Sequence, residues 1–315
     1  MRAIRLHEFG APDHLVLDEL PDLTPGPGQV RIAVEAAGVH LVDTTLRRGD
    51  PGPVSLPRPE LPTVPGREVA GVVDELGDGV DPTWFGRRVA AHLGAVPGGY
   101  AEQAVTAVDG QVFVLPEQVG WADAVAAVGT GRTALGVLEL EPPSAADVVL
   151  VPSAAGGMGW LLVQAARQAG ATVVAAAGGP EKRARLAELG ADLAVDYLDP
   201  GWDERVREAT GGVTLVYDGV GGAVGRCALE LLRPGGRLVM FGYSAGQPTQ
   251  FGTGDVANGR AFDFLLLLRR VIERVAQEHV SVAMISRIAG DDRIKSFGEY
   301  NLLHVIFTPD EERQL

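Results

Sequence analysis

The chain has 315 residues, 46% of them hydrophobic and 22% charged, a balance that fits a soluble globular protein with room for two domains. Its formal net charge of −14 argues against a nucleic-acid or anionic-membrane partner, since both need a concentrated positive surface. The single cysteine, Cys227, permits no intrachain disulfide and so offers no secreted framework; it reads as a core residue of an apolar helix.

The N-terminal stretch MRAIRLHEFG lacks the apolar centre of a signal peptide, and the expected location is cytoplasmic. The next hundred or so residues are dense in glycine, proline and short alternating runs: 29–36, 70–73, 88–92, 101–105 and 111–115. Short strands separated by turn residues predict a compact β-rich barrel.

A different pattern begins at Val148. The segment VVLVPSAAGGMGWLLVQA is an apolar run that breaks into glycines and resumes as an amphipathic helix, which reads as strand, phosphate-binding turn and helix. Gly156, Gly157 and Gly159, with Met158 between them, let backbone amides approach an anion at the start of the helix. The expected ligand is a dinucleotide pyrophosphate, carried by the surrounding βα pattern more than by the glycines themselves. The helix stops near Gly170 and TVVAAA (172–177) forms the next strand. An NAD-binding unit places a carboxylate at the tip of this second strand for the ribose 2′-hydroxyl. Here the tip is Ala177, Gly178 and Gly179, with Lys182 and Arg183 just beyond. Nothing at that tip repels a 2′-phosphate and two cations attract one, so NADPH is favoured over NADH. The alternative for Lys182 and Arg183 is a solvated pair opening a surface helix beside Glu181.

Alternation continues through a strand at 193–195, a helix at 202–209, a strand at 213–217, a helix at 223–232 and a strand at 237–242. Five strands separated by helices predict a doubly wound parallel α/β sheet. Ligands of such sheets lie beyond the carboxyl ends of the strands, so residues 218–222 and 241–244 are candidate cofactor contacts as well as turns. The apolar run at 264–268 is far too short to span a bilayer, and 264–277 has a helical pattern.

The order GVHLVDTTLRRGD, LPTVPGREVAGVV, GGYAEQAV, GTGRTAL, SAAGGMG and DGVGG resembles the medium-chain dehydrogenase/reductase superfamily, and within it the zinc-independent quinone oxidoreductase (zeta-crystallin-like) branch. The resemblance covers roughly residues 1–246. It implies a GroES-like β-rich barrel domain over 1–121, a Rossmann NADP-binding domain over 122–258 and a C-terminal segment, 259–315, that returns to the first domain in relatives but is divergent here. By similarity, His40, Asp43 and Arg47 belong to the cleft where the chemistry occurs; His40 stands where the branch usually has asparagine, and an ordinary surface ion pair is the alternative for Arg47. A motif tyrosine is replaced by Thr45 and a later one is lost near Asp50 and Pro51. Thr133 matches a threonine near the cofactor, its alternative being a helix cap. Gly156, Gly157, Met158 and Gly159 match the pyrophosphate loop, Lys182 and Tyr197 the surroundings of the 2′-phosphate, and Gly242 a turn beside the nicotinamide. Tyr197 alternatively covers the adenine with its ring.

Zinc-dependent relatives use a histidine in a GHE motif, where this chain has Arg67, together with cysteine ligands that it lacks, so no metal is expected. Without zinc an alcohol is hard to oxidise, because nothing stabilises the alkoxide. Hydride transfer from NADPH to a quinone or small conjugated enone is the expected activity, with positioning as the protein's main contribution. No Ser/His/Asp arrangement or nucleophile elbow stands out. Alternatives are an enoyl-thioester reductase and a crystallin-like NADPH-binding protein without turnover. The expected partner is the small-molecule acceptor alone, apart from a possible homodimer, in which a second subunit covers apolar surface left by the divergent tail.

Overall fold

The computed structural model describes residues 1–49, 58–94, 98–252 and 255, plus three short strands farther on. The chain divides into two compact units, Met1–Arg132 and Thr133–Leu315.

In the first unit, β1 (Arg2–Leu6) and β2 (Leu15–Glu19) form an antiparallel hairpin. β3 (Gln29–Ala37), β4 (Glu68–Leu76), β5 (Arg88–His92), β6 (Gln103–Ala107) and β7 (Gln111–Val114) form an antiparallel sheet in the order β6-β3-β4-β5-β7. The predicted alternation is what buries one face: Val30, Ile32, Val69, Val73, Val89 and Ala104 make one core. Ala70 and Ala90 point the other way, against Ala124 and Val125 of α2 (Trp121–Ala126). Gly71 is required within β4 because a Cβ there would lie 2.0 Å from the Ala33 carbonyl oxygen of β3. The helix α1 (Leu41–Arg48) follows β3, begins after His40 and stops at Gly49, whose φ of 69° is the left-handed conformation that suits glycine.

The second unit contains a parallel sheet of five strands, β8 (Val148–Val151), β9 (Thr172–Ala177), β10 (Leu193–Asp196), β11 (Val213–Asp218) and β12 (Leu232–Met240). Their order is β10-β9-β8-β11-β12, so the chain reverses direction across the sheet between β8 and β11. Successive β8 residues alternate between two cores. Val149 and Val151 pack with Leu162, Val163 and Ala166 of α4 (Gly157–Gln168) and Leu186 of α5 (Pro180–Glu188), whereas Leu150 packs with Val206 of α6 (Trp202–Thr210) and Leu229 of α7 (Gly222–Leu231). Helices thus cover both faces, and strands buried on both sides read as unbroken apolar runs. β12 starts earlier than the expected 237–242 strand, because Leu232 already pairs with Val213 before a register shift.

Beyond residue 255 the described residues are a small antiparallel sheet of β13 (Val282–Ala283), β14 (Lys295–Phe297) and β15 (His304–Ile306). The helix expected at 264–277 lies outside the described residues. No helix among the described residues is long and apolar enough to cross a membrane.

Candidate active site

The carboxyl ends of β8, β9, β10 and β11 carry most of the residues expected to hold a cofactor. After β8, Gly156 is the N-cap of α4 and supplies no side-chain cap, so the first amides of the helix have no capping side chain. A Cβ on Gly159 would fall 2.0 Å from the Ser153 carbonyl oxygen, which explains why the first turn of α4 packs so closely on the preceding loop. Met158 is half-buried against the core while Gly156 and Gly157 are exposed. The Ser153 hydroxyl is buried with no hydrogen-bond partner among the described residues. An uncapped, glycine-walled helix start beside an unpartnered hydroxyl has the donors that a pyrophosphate-bearing dinucleotide requires.

At the tip of β9 the expectation of an acid-free turn needs correction. Asp196, at the end of the neighbouring β10, reaches this tip, where its Oδ1 accepts from the Gly179 and Leu198 amides at 2.9 Å each. Those two bonds hold its carboxyl below the usual range, with the Arg183 and Arg205 charges adding to the effect. The carboxylate is therefore committed to backbone amides. Tyr197 lies against the same turn: a Cβ on Gly178 would meet its ring at 2.8 Å. Lys182 and Arg183 are exposed in the first turn of α5. Tyr197 and the α5 start, 15 residues apart between Lys182 and Tyr197 in sequence, thus flank one glycine turn.

The turns after β11 and β12 are pinned to each other. Phe241 and Ser244 amides donate to the Asp218 and Gly219 carbonyls, and Gly222 donates to Gln247. Asp218 is fully buried and accepts from the Val220 and Gly221 amides and from the Thr249 hydroxyl. Its role here is to shape the turn. Gly242 leaves only 3.2 Å between a would-be Cβ and the Gly219 carbonyl. Thr133 is buried inside α3 (Arg132–Leu140), and α2 runs into α3 through a wide helical turn at 127–131. No helix begins at Thr133, so it is not a cap.

In the first unit, the expected trio is organised by two residues that the sequence reading did not single out. His40 Nε2 lies 2.6 Å from Glu68 Oε2, with the two side chains 11% and 4% exposed. Asp43 Oδ2 accepts from the His40 amide at 2.8 Å and from the Tyr100 hydroxyl at 2.7 Å. Burial works against a charged His40, but the Glu68 hydrogen bond and charge, with Asp43 behind them, prevail and raise its pKa. Burial, then Asp43, pushes the Tyr100 phenol up, so it is a fixed donor. Gly38 and Gly129 cage the glutamate, with would-be Cβ atoms 2.9 Å and 2.0 Å from its carboxylate oxygens. A charged residue opening an otherwise apolar strand, EVAGVV, was the available signal for Glu68. Arg47 is buried and donates to the Gly10 carbonyl, with no carboxylate partner among the described residues; it is not the surface ion pair that the sequence allowed. Position 45 lies in α1, whereas Asp50 and Pro51 lie outside the described residues. Among the described residues no cluster of three histidine, cysteine or acidic side chains is placed to hold a metal ion.

Comparison with known proteins places these features in context. Residues 26–117 match the alcohol dehydrogenase GroES-like domain family and residues 157–271 the family described as zinc-binding dehydrogenase. The chain is 35% identical over 246 residues to a 2-haloacrylate reductase from Burkholderia sp, covering 76% of this chain and 73% of that protein. It is 31% identical over 257 residues to a quinone oxidoreductase from Salmonella typhimurium, covering 80% and 76%. Its fold superposes on the Escherichia coli quinone oxidoreductase solved with NADPH at a TM-score of 0.72 and 25% identity, covering 91% of each chain. The barrel-type sheet, the doubly wound sheet, the glycine-walled helix start and these relatives lead to one conclusion: the chain belongs to the medium-chain dehydrogenase/reductase superfamily, in its zinc-independent quinone oxidoreductase branch.

Proposed function

We propose that this protein is an NADPH-dependent oxidoreductase that passes a hydride to a quinone or small conjugated enone without zinc. The observation that carries this reading is the uncapped α4 N-terminus walled by Gly156 and Gly159 beside the Gly178 turn. Relatives named for quinone and 2-haloacrylate reduction, and a solved NADPH complex, support it.

The α4 amides from Gly157 onward receive the pyrophosphate, Lys182 offsets the 2′-phosphate charge and Tyr197 supplies an aromatic face to the adenosine end. Thr133 and Gly242 serve the nicotinamide end. NADPH, when bound, supplies the hydride. Asp43 fixes the start of α1 and the His40 backbone, while Tyr100 fixes Asp43. Glu68 holds His40 at Nε2 and favours the imidazolium, whose positive charge offsets the negative charge that develops on an acceptor oxygen. Arg47 supplies a buried positive charge near these groups. We place the protein in the cytoplasm and propose a homodimer, which a monomeric mass in solution would reject. Stopped-flow absorbance of NADPH mixed with a panel of quinones and enones tests the activity. Oxidation of NADPH by at least one acceptor, with NADH binding more weakly, is expected; no oxidation by any acceptor removes the reading.

A further inference from the structure

We infer that Asp196 is a specificity-determining residue at the adenosine end of the cofactor site. Its carboxylate holds the glycine turn in shape and at the same time opposes a 2′-phosphate, so the preference for NADPH over NADH is narrower than the nearby cations alone would set. This rests on the cofactor reading above and deepens it.

The turn between β9 and α5 offers an anion fewer amides than the start of α4 does. The Gly178 amide faces the Tyr197 hydroxyl, and the Gly179 amide donates to Asp196 Oδ1 at 2.9 Å. Pro180, the first residue of α5, carries no N–H. These three consecutive positions leave little for a phosphate, and the work of holding it falls on side-chain charge.

That charge is nearly balanced. Lys182 and Arg183 are exposed in the first turn of α5, with Glu181 exposed beside them. Asp196 brings a second negative charge to the same tip, because β10 pairs with β9 in a register that sets Asp196 against Ala177. The residue is only 5% exposed, yet its carboxylate is ionised: the Gly179 and Leu198 amides both donate to Oδ1 and hold it below the usual range. Arg183 and Arg205 act on it in the same direction. Arg183 thus shares its charge with Asp196, which leaves Lys182 as the main counter-charge for a phosphate. A ribose 2′-hydroxyl presents nothing for this carboxylate to repel, whereas a 2′-phosphate presents a like charge that a nearly buried carboxylate feels with little screening.

Asparagine separates the two roles, because its amide oxygen still accepts from Gly179 and Leu198 while the charge is gone. Fluorescence titration of the full chain with NADPH and with NADH, at low and high salt, is the test. Asp196→Asn should bind NADPH about three- to tenfold more tightly than wild type, the size of a partly screened repulsion, and should leave NADH within about twofold of wild type. The gain should shrink at high salt. Asp196→Ala, which loses the acceptor as well, should bind both cofactors more weakly than Asp196→Asn does. A merely structural Asp196 would move NADPH and NADH together and be indifferent to salt. Unchanged or weaker NADPH binding by Asp196→Asn, or an equal gain for both cofactors, overturns the inference. If wild type oxidises NADPH with an acceptor and Asp196→Asn shows no gain, the assignment of Asp196 alone falls. If both variants behave as expected and no acceptor oxidises NADPH, the reductase reading falls and the assignment stands. If wild type binds neither cofactor, both fall.

Discussion

Replacing Glu68 with glutamine removes one negative charge from a nearly buried pair while keeping the side-chain shape. In the wild type, the carboxylate lies 2.6 Å from His40 Nε2 and both side chains are largely buried, so water screens their attraction little. A hydrogen bond between charged partners contributes about 1.5–3 kcal/mol, and glutamine retains the neutral part of it. The net cost at pH 6 should therefore be ~1–2 kcal/mol, short of the ~3–5 kcal/mol for stranding a buried ion outright. The sign of the pH dependence follows from the raised His40 pKa. Stability from this group is complete below the ordinary histidine value near 6.5 and is lost as pH rises through the higher folded value. The difference between wild type and Glu68→Gln should be large at pH 6 and shrink at pH 9. Urea unfolding at both pH values measures it, and an NMR titration of the His40 ring should show its pKa falling in the variant. An unchanged ring titration, with a stability difference equal at both pH values, would refute the pairing.

Gly129→Ala places a Cβ 2.0 Å from Glu68 Oε1, so the carboxylate must leave His40; thermal unfolding should show a loss of about 1–3 kcal/mol and the His40 titration should shift downward as in Glu68→Gln. Gly178→Ala pushes the Tyr197 ring from its seat and should weaken NADPH by ~0.5–1.5 kcal/mol, one aromatic contact, read by cofactor fluorescence. Lys182→Ala should weaken NADPH by ~1–3 kcal/mol and leave NADH unaffected; equal losses for both would contradict the 2′-phosphate role. Gly159→Ala, with its Cβ 2.0 Å from a backbone carbonyl that cannot rotate away, should abolish binding of both cofactors in calorimetry while the chain still shows its circular dichroism spectrum.

Much of the second unit is legible in one dimension because its cues are local. Strands such as TVVAAA are buried on both faces and read as unbroken apolar runs, and this one lies between Gly170 and Gly178. The glycine loop, its helix and the second strand lie within 30 residues, from Val148 to Ala177, so order and spacing alone point to a dinucleotide. The β-rich character of the first unit follows in the same way from period-two alternation. What the order of residues leaves open is which side chains meet across strands. His40 and Glu68 are 28 residues apart, and Asp43 and Tyr100 are 57 apart; they meet because sheet register and the entry of α1 bring them together. Asp196 reaches the β9 tip only because β10 is its neighbour in the parallel sheet. The same applies to the charge on Arg47: whether a guanidinium is solvated, paired or buried beside a carbonyl depends on long-range packing, which composition and periodicity do not encode. The kind of fold and its cofactor class are thus written along the chain, whereas the His40–Glu68 pair exists only once distant segments are folded against each other.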